Sequence, residues 1–117
     1  MKKILIADDS WIARRSISNF ISSEEWNILE AENGTQALEK IDSESPDAVL
    51  LDLLMPEPGG VEVLRKLSEQ KSHPPVIVMT ADIQETTKKR CFDLGASNFL
   101  KKPPRREEVV EAIKEVL

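Results

Sequence analysis

Apolar positions fall into two rhythms along this chain. Short unbroken runs at residues 3–7, 48–51 and 76–79 (Lys-Ile-Leu-Ile-Ala, Ala-Val-Leu-Leu and Val-Ile-Val-Met) predict buried strands. Residues 27–32 read as a weaker strand and 97–101 as a short one. Between them the spacing becomes helical. Ala13, Ile17, Phe20 and Ile21 recur at i, i+4, i+7 and i+8, with Ser10 placed to cap the first turn. Ala37, Leu38 and Ile41 mark a helix after the Asn33-Gly34 turn signal, ended by Ser45-Pro46. Val61, Val63, Leu64 and Leu67 form an apolar side after Gly59-Gly60. Residues 83–94 predict a weakly amphipathic helix using Ile83, Cys91 and Leu94, stopped by Gly95. Val109, Ile113, Val116 and Leu117 outline the last helix.

Five strands thus alternate with five helices, uninterrupted by any repeat or low-complexity segment. Apolar strands between amphipathic helices predict one α/β domain with a parallel sheet covered on both faces. Right-handed crossovers then place every strand's carboxyl end on one edge, where such sheets bind their ligands.

Composition narrows the chemistry. At 117 residues, 40% apolar and 32% charged, the chain has the make-up of a single soluble domain. It has no run long enough to span a bilayer and opens on Met-Lys-Lys-Ile-Leu, without a signal peptide's apolar core; a cytoplasmic home is expected. Cys91 is the only cysteine, which excludes an internal disulfide or a cysteine zinc set, and is expected to be a half-buried small hydrophobe. His73 is the only histidine, in a Ser-His-Pro-Pro loop, and is expected at the surface.

The net charge of −5 argues against general nucleic-acid binding, but it is uneven. Residues 82–106 hold 7 basic and 3 acidic side chains, the basic ones being Lys88, Lys89, Arg90, Lys101, Lys102, Arg105 and Arg106. Such a stretch reads equally as a solvated face or as a surface for an acidic partner.

The expected carboxyl ends carry Asp8 and Asp9, Asp52, Thr80 and Lys102. Alone, Asp52 reads best as a strand-end residue that caps a turn or is solvated, Thr80 as the end of a strand, and Phe99 as ordinary core. Converging on one rim, three carboxylates cannot all stay ionised cheaply without a counter-charge. A hard divalent cation with oxygen ligands, Mg²⁺ first, supplies one. A lysine suits a phosphoryl oxygen or a free carboxylate, and a threonine hydroxyl can donate to another such oxygen. Strand alternation points only one of Lys101 and Lys102 inward, and the following proline favours Lys102. Together these are parts for phosphoryl transfer to an aspartate.

Over essentially its whole length the sequence resembles the receiver domain of two-component response regulators. The residues that carry the likeness are Asp8-Asp9, Asp52-Leu-Leu-Met-Pro with a glycine after it, Thr80-Ala81, and Phe99-Leu-Lys-Lys102-Pro103. The resemblance implies a flavodoxin-like (βα)5 fold, doubly wound with strand order 2-1-3-4-5, in a single receiver domain over 1–117 without an output domain. It implies Asp52 as phosphoacceptor from a sensor histidine kinase or phosphotransfer protein. It implies Mg²⁺ held by Asp9, Asp52 and the Leu54 backbone carbonyl, with Asp8 acting largely through water. Lys102 would contact the phosphoryl group, Thr80 would swing toward it, and Phe99 would follow as the aromatic switch. The Lys102–Pro103 bond is often cis in such relatives. The readout face would be residues 83–94, 97–101 and the last helix, meeting a downstream protein partner. No direct nucleic-acid or membrane contact is expected, and the chain would be a monomer or a phosphorylation-dependent dimer.

Three positions vary within or depart from that family. Leu54 is apolar where fast-hydrolysing relatives carry a polar residue, which implies a longer phosphorylated lifetime. Asp82 brings a negative charge near the phosphoryl site. Trp11 falls beside the metal site or packs on the sheet edge. The chain is read as a stand-alone, chemotaxis-type regulator; a receiver cut from a longer DNA-binding or enzymatic regulator, and a binding module that is never phosphorylated, are the alternatives. A flavodoxin-type carrier fits poorly because Asp8-Asp9 would repel the FMN phosphate. A haloacid-dehalogenase-type phosphatase wants a second Asp where Leu54 stands, and a dinucleotide enzyme lacks its Gly-x-Gly-x-x-Gly.

Overall fold

The computed structural model describes residues 1–117. Its elements run β1 (Lys3–Ala7), α1 (Trp11–Ile21), β2 (Asn27–Ala31), α2 (Gly34–Glu44), β3 (Ala48–Asp52), α3 (Gly60–Ser68), β4 (Val76–Thr80), α4 (Glu85–Asp93), β5 (Asn98–Lys101) and α5 (Arg106–Val116). The strands form one parallel sheet in the order β2-β1-β3-β4-β5. The expected flavodoxin-like doubly wound architecture is therefore present.

Strand alternation sorts the core into two layers. Ile4, Ile6, Ala48, Leu50, Ile77 and Met79 meet Ile17 and Ile21 of α1 and Val109, Ala112 and Ile113 of α5. Leu5, Ala7, Val49, Leu51, Val76 and Val78 point the other way, to Ala37 and Ile41 of α2, Val63, Leu64 and Leu67 of α3, and Cys91 of α4. The chain moves outward from β1 to β2, then back across the sheet from β3 to β5. Right-handed crossovers in opposite directions put α1 opposite α2–α4. The direction reverses between β1 and β3, so the crevice opens where Asp8-Asp9 and Asp52 emerge.

Several boundaries differ from expectation, each for a local reason. Asn33 does not make a free turn: its side chain accepts from the Gln36 N–H at 2.8 Å and caps α2. Helix α4 starts at Glu85 rather than 83, because the Asp82 carboxylate accepts from the Gln84 N–H (3.1 Å) and the Thr87 hydroxyl (2.8 Å). That turn leaves Ile83 exposed ahead of the helix. Its end is as expected: Gly95 takes φ +96°, with Gly95 N–H to Phe92 O and Ala96 N–H to Cys91 O both at 3.0 Å. Cys91 is wholly buried rather than half-buried. Trp11 packs on no sheet edge; it is 63% exposed, with the Arg15 guanidinium 5.7 Å from its ring centroid. Leu117 lies beyond α5 and is exposed. Ser97 is outside β5, its N–H donating to the Val76 carbonyl at 2.8 Å. No helix is long and apolar enough to cross a membrane.

Candidate functional site

Strand register brings the candidate residues together. Ala7 pairs with Ala31 and Leu51, Asp52 with Met79, and Thr80 with Lys101, so Asp8, Asp52, Thr80 and Lys102 leave the sheet at one level. Asp8 and Asp52 are buried, at 0% and 3% exposure, while Asp9 faces solvent. One carboxylate oxygen from each lies within 4.8 Å of the others. The Lys102 ammonium bridges the two buried carboxylates, 2.6 Å from Asp8 Oδ2 and 3.3 Å from Asp52 Oδ2. Lys101 points to solvent, as strand alternation predicts.

Backbone donors complete the cradle. The Ser10 N–H donates to Asp8 Oδ1 at 2.9 Å, and the Leu54 N–H to Asp52 Oδ1 at 3.2 Å. Ser10 also caps α1, accepting from the Ala13 N–H. Thr80 is fully buried, and its hydroxyl oxygen accepts from the Asp82 N–H at 3.2 Å. The Asp82 carboxylate is occupied by the Gln84 N–H and the Thr87 hydroxyl in the turn ahead of α4. Phe99 is half-buried against the α2–α4 layer, with Lys88 Nζ 5.9 Å from its ring centroid. Both the Lys102–Pro103 and Glu57–Pro58 bonds are cis.

Burial first, and neighbouring charges after it, shift two groups of the pocket. Burial holds the Asp52 carboxyl above the usual aspartate range; the Asp8 charge adds to this, and the Leu54 N–H and Lys102 only partly offset it. Burial alone would lower the Lys102 pKa, but the hydrogen bond to Asp8 and the charges of Asp52 and Asp8 outweigh it and raise it. A three-carboxylate rim with one lysine is a donor set that a hard, oxygen-seeking cation fits.

One contributor escapes the sequence pattern. Arg14 is only 8% exposed; its Nη1 donates to the Asp8 carbonyl at 2.7 Å and its Nε to Glu30 Oε1 at 2.9 Å. It shares a helical stripe with Ile17 and Ile21, and a charge on a buried stripe is the signal that marks it. The basic cluster, conversely, is not one face. Lys102 belongs to the acidic pocket, and Arg106 donates to the Phe20 carbonyl and the Ser23 hydroxyl at the end of α1. Lys89 and Arg105 pair with Asp93 and Glu108. His73 lies at the far, amino-terminal edge of the sheet, half-buried, with Nδ1 2.7 Å from the Pro74 carbonyl.

The chain is thus a doubly wound α/β domain whose switch-point crevice holds clustered carboxylates and a bridging lysine. Residues 4–114 match the response regulator receiver domain family, and the chain belongs to it. Receiver domains are phosphorylation-dependent switches that bind Mg²⁺ at an acidic pocket and interact with histidine kinases or phosphotransfer proteins. Among curated relatives, the chain is 37% identical over 115 residues to the transcriptional regulatory protein ResD of Bacillus subtilis, covering 98% of this chain and 48% of ResD. It is equally identical to SrrA of Staphylococcus aureus, over 47% of that protein's length. The chain thus spans about half the length of these relatives. Among solved structures, chemotaxis protein CheY4 of Vibrio cholerae superposes with a TM-score of 0.91 at 26% identity, covering 100% of this chain and 99% of CheY4. A chain of the CheX–CheY–BeF3–Mg²⁺ complex from Borrelia burgdorferi gives 0.91 at 30% identity, covering 98% and 88%.

Proposed function

We propose that Asp52 accepts a phosphoryl group from a phosphohistidine of a sensor histidine kinase or phosphotransfer protein. The observation that carries this reading is the buried Asp52 carboxylate, bridged through Lys102 to Asp8 beside the solvent-facing Asp9. A carboxylate oxygen of Asp52 attacks phosphorus, the P–N bond breaks, and the histidine leaves with the bonding pair and takes up a proton. Asp8, Asp9, Asp52 and the Leu54 carbonyl would hold Mg²⁺, which would neutralise charge on the phosphoryl oxygens. Lys102 shifts from its carboxylate bridge to the transferred group. The Leu54 side chain, 64% exposed beside Asp52, stands in the approach of water and lengthens the phosphorylated lifetime.

Thr80 and Phe99 convert the new charge into movement. The Thr80 hydroxyl, which accepts from the Asp82 N–H in this structure, turns to donate to a phosphoryl oxygen. That releases the turn that starts α4, and Phe99 moves inward from beneath Lys88. The change is read on the α4–β5–α5 face by a downstream protein partner. A cavity of about 370 Å³ bounded by Ile83, Lys88, Phe99, Lys101 and Glu108 lies on that face. Two settings carry the same switch. The end-to-end match to a chemotaxis protein supports a stand-alone regulator, and the half-length match to transcriptional regulators supports a receiver within a longer DNA-binding protein.

Intact mass after incubation with acetyl phosphate and Mg²⁺ tests the acceptor. One phosphoryl adduct is expected, absent in Asp52→Asn and absent with EDTA. A folded wild-type protein that gains no adduct from acetyl phosphate or from a phosphorylated histidine donor would overturn the reading in favour of a constitutive binding module.

A further inference from the structure

The loop after Asp52 rests against the first residue of α2. A Cβ added at Gly34 would lie 2.0 Å from the Pro58 carbonyl oxygen and 2.9 Å from its Cγ. Gly34 has no positive φ, so close approach rather than backbone conformation is what requires a glycine here. The two flanks of this contact lead to the two halves of the pocket. On one side, the Asp8 N–H donates to the Ala31 carbonyl at 3.0 Å. The turn that follows is fixed by the Asn33 cap and by the Glu32 N–H donating to Gln36 Oε1 at 3.0 Å. On the other side, the Gly60 N–H closes the loop onto the Leu53 carbonyl at 3.1 Å. A Cβ at Gly60 would meet the Asp52 carbonyl oxygen at 2.5 Å, so that end of the loop is equally tight. Pro58 on Gly34 is where this closed loop is braced against α2.

We propose that Gly34 is a positioning residue for the Mg²⁺ site. By seating Pro58 against the start of α2, it sets residues 53–59, and with them the Leu54 carbonyl, at the separation from Asp8 and Asp9 that the ion needs. The inference rests on the Mg²⁺ ligand set proposed above. Mg²⁺ demands near-ideal octahedral geometry at about 2.0–2.1 Å, so it tolerates little displacement of a ligand carbonyl. Restoring ordinary contact at Gly34→Ala requires Pro58 to retreat by more than an ångström. A local helix effect has the opposite sign, because alanine is the better helix former and would steady α2.

Calorimetric titration with Mg²⁺ on the wild type, Gly34→Ala and Asp9→Asn tests this, at a temperature where circular dichroism shows each folded, alongside metal-free melts. Gly34→Ala is expected to bind Mg²⁺ about tenfold more weakly, the scale of losses seen when a ligand's supporting group is disturbed. An affinity within about twofold of wild type in the folded variant would overturn the proposal. If Gly34→Ala does not fold, Pro58→Gly takes its place, since it frees the loop without adding an atom. The same tenfold loss supports the proposal and unchanged affinity overturns it. Failure of the underlying ligand set looks different: the wild type binds no Mg²⁺, or Asp9→Asn binds it as tightly, and the role of Gly34 falls with it.

Discussion

Helices α3 and α4 are each nine residues long, begin without a side-chain cap on the first turn, and carry acidic first and basic last turns. Their inner faces differ. α3 buries Gly60, Val63, Leu64 and Leu67, whereas α4 buries only Cys91. The division follows what each must do. α3 anchors the loop that begins at Asp52, where ligand geometry has to be kept. α4 borders Thr80 and Phe99, which the proposed switch has to move, and segments with few buried apolar contacts open at low cost. One short domain thus sets a fixed half beside a yielding half across the same pocket.

The largest expected effect lies in the fixed half. Leu67→Ala should cost about 2–5 kcal/mol in urea unfolding, a large share of the roughly 5–15 kcal/mol of a typical domain. Phe92→Ala, on the exposed side of α4, should change stability by less than about 0.5 kcal/mol; an equal cost would end the comparison. Next comes the charge between the halves. Burial raises the Asp52 pKa, so the folded state favours the protonated form and loses stability as pH rises through that raised value. Metal-free Asp52→Asn should therefore be more stable than wild type at neutral pH, with the gap closing in acid. A gap that widens in acid would contradict this. Saturating Mg²⁺ should favour the wild type instead, by about 2.7 kcal/mol at a hundredfold excess over Kd.

A kinetic effect comes next. Leu54→Asn should speed dephosphorylation severalfold while leaving stability within about 0.5 kcal/mol, and an unchanged hydrolysis rate would remove the shielding role. The smallest effect is at Lys88→Ala, which loses the cation–π contact with Phe99, worth about 0.5–1 kcal/mol at an exposed site. Urea unfolding of Lys88→Ala beside Phe99→Ala and the double variant would isolate that coupling.

Much of this was legible in the residues because the two apolar rhythms are strong. Runs such as Val76–Met79 and the placement of Asp8, Asp52, Thr80 and Lys102 after them fix the sheet and locate the rim. What was hidden depends on contacts between distant segments. Arg14 falls on the Ile17–Ile21 stripe, but nothing in the spacing shows that its guanidinium ends on the Asp8 carbonyl. Asn33-Gly34 reads as a turn because the same residue types cap helices and permit close approach, and sequence spacing does not show Pro58 lying against Gly34. Ile83 falls outside α4 because the Asp82 carboxylate takes the Gln84 N–H and the Thr87 hydroxyl, and the helix starts two residues later. The run of basic residues suggested a single face, yet backbone geometry sends Lys102 and Arg106 to different places.

Amide hydrogen exchange, resolved by helix, tests the central claim most directly. It should be followed in the metal-free protein, after Mg²⁺ and acetyl phosphate, and in Asp52→Asn treated identically. The account predicts slow exchange in α3 throughout, fast exchange in α4 before phosphorylation, and a change in α4 but not α3 that Asp52→Asn does not show. Exchange in α4 as slow as in α3, or a phosphorylation response shared by both helices or retained in Asp52→Asn, would contradict it.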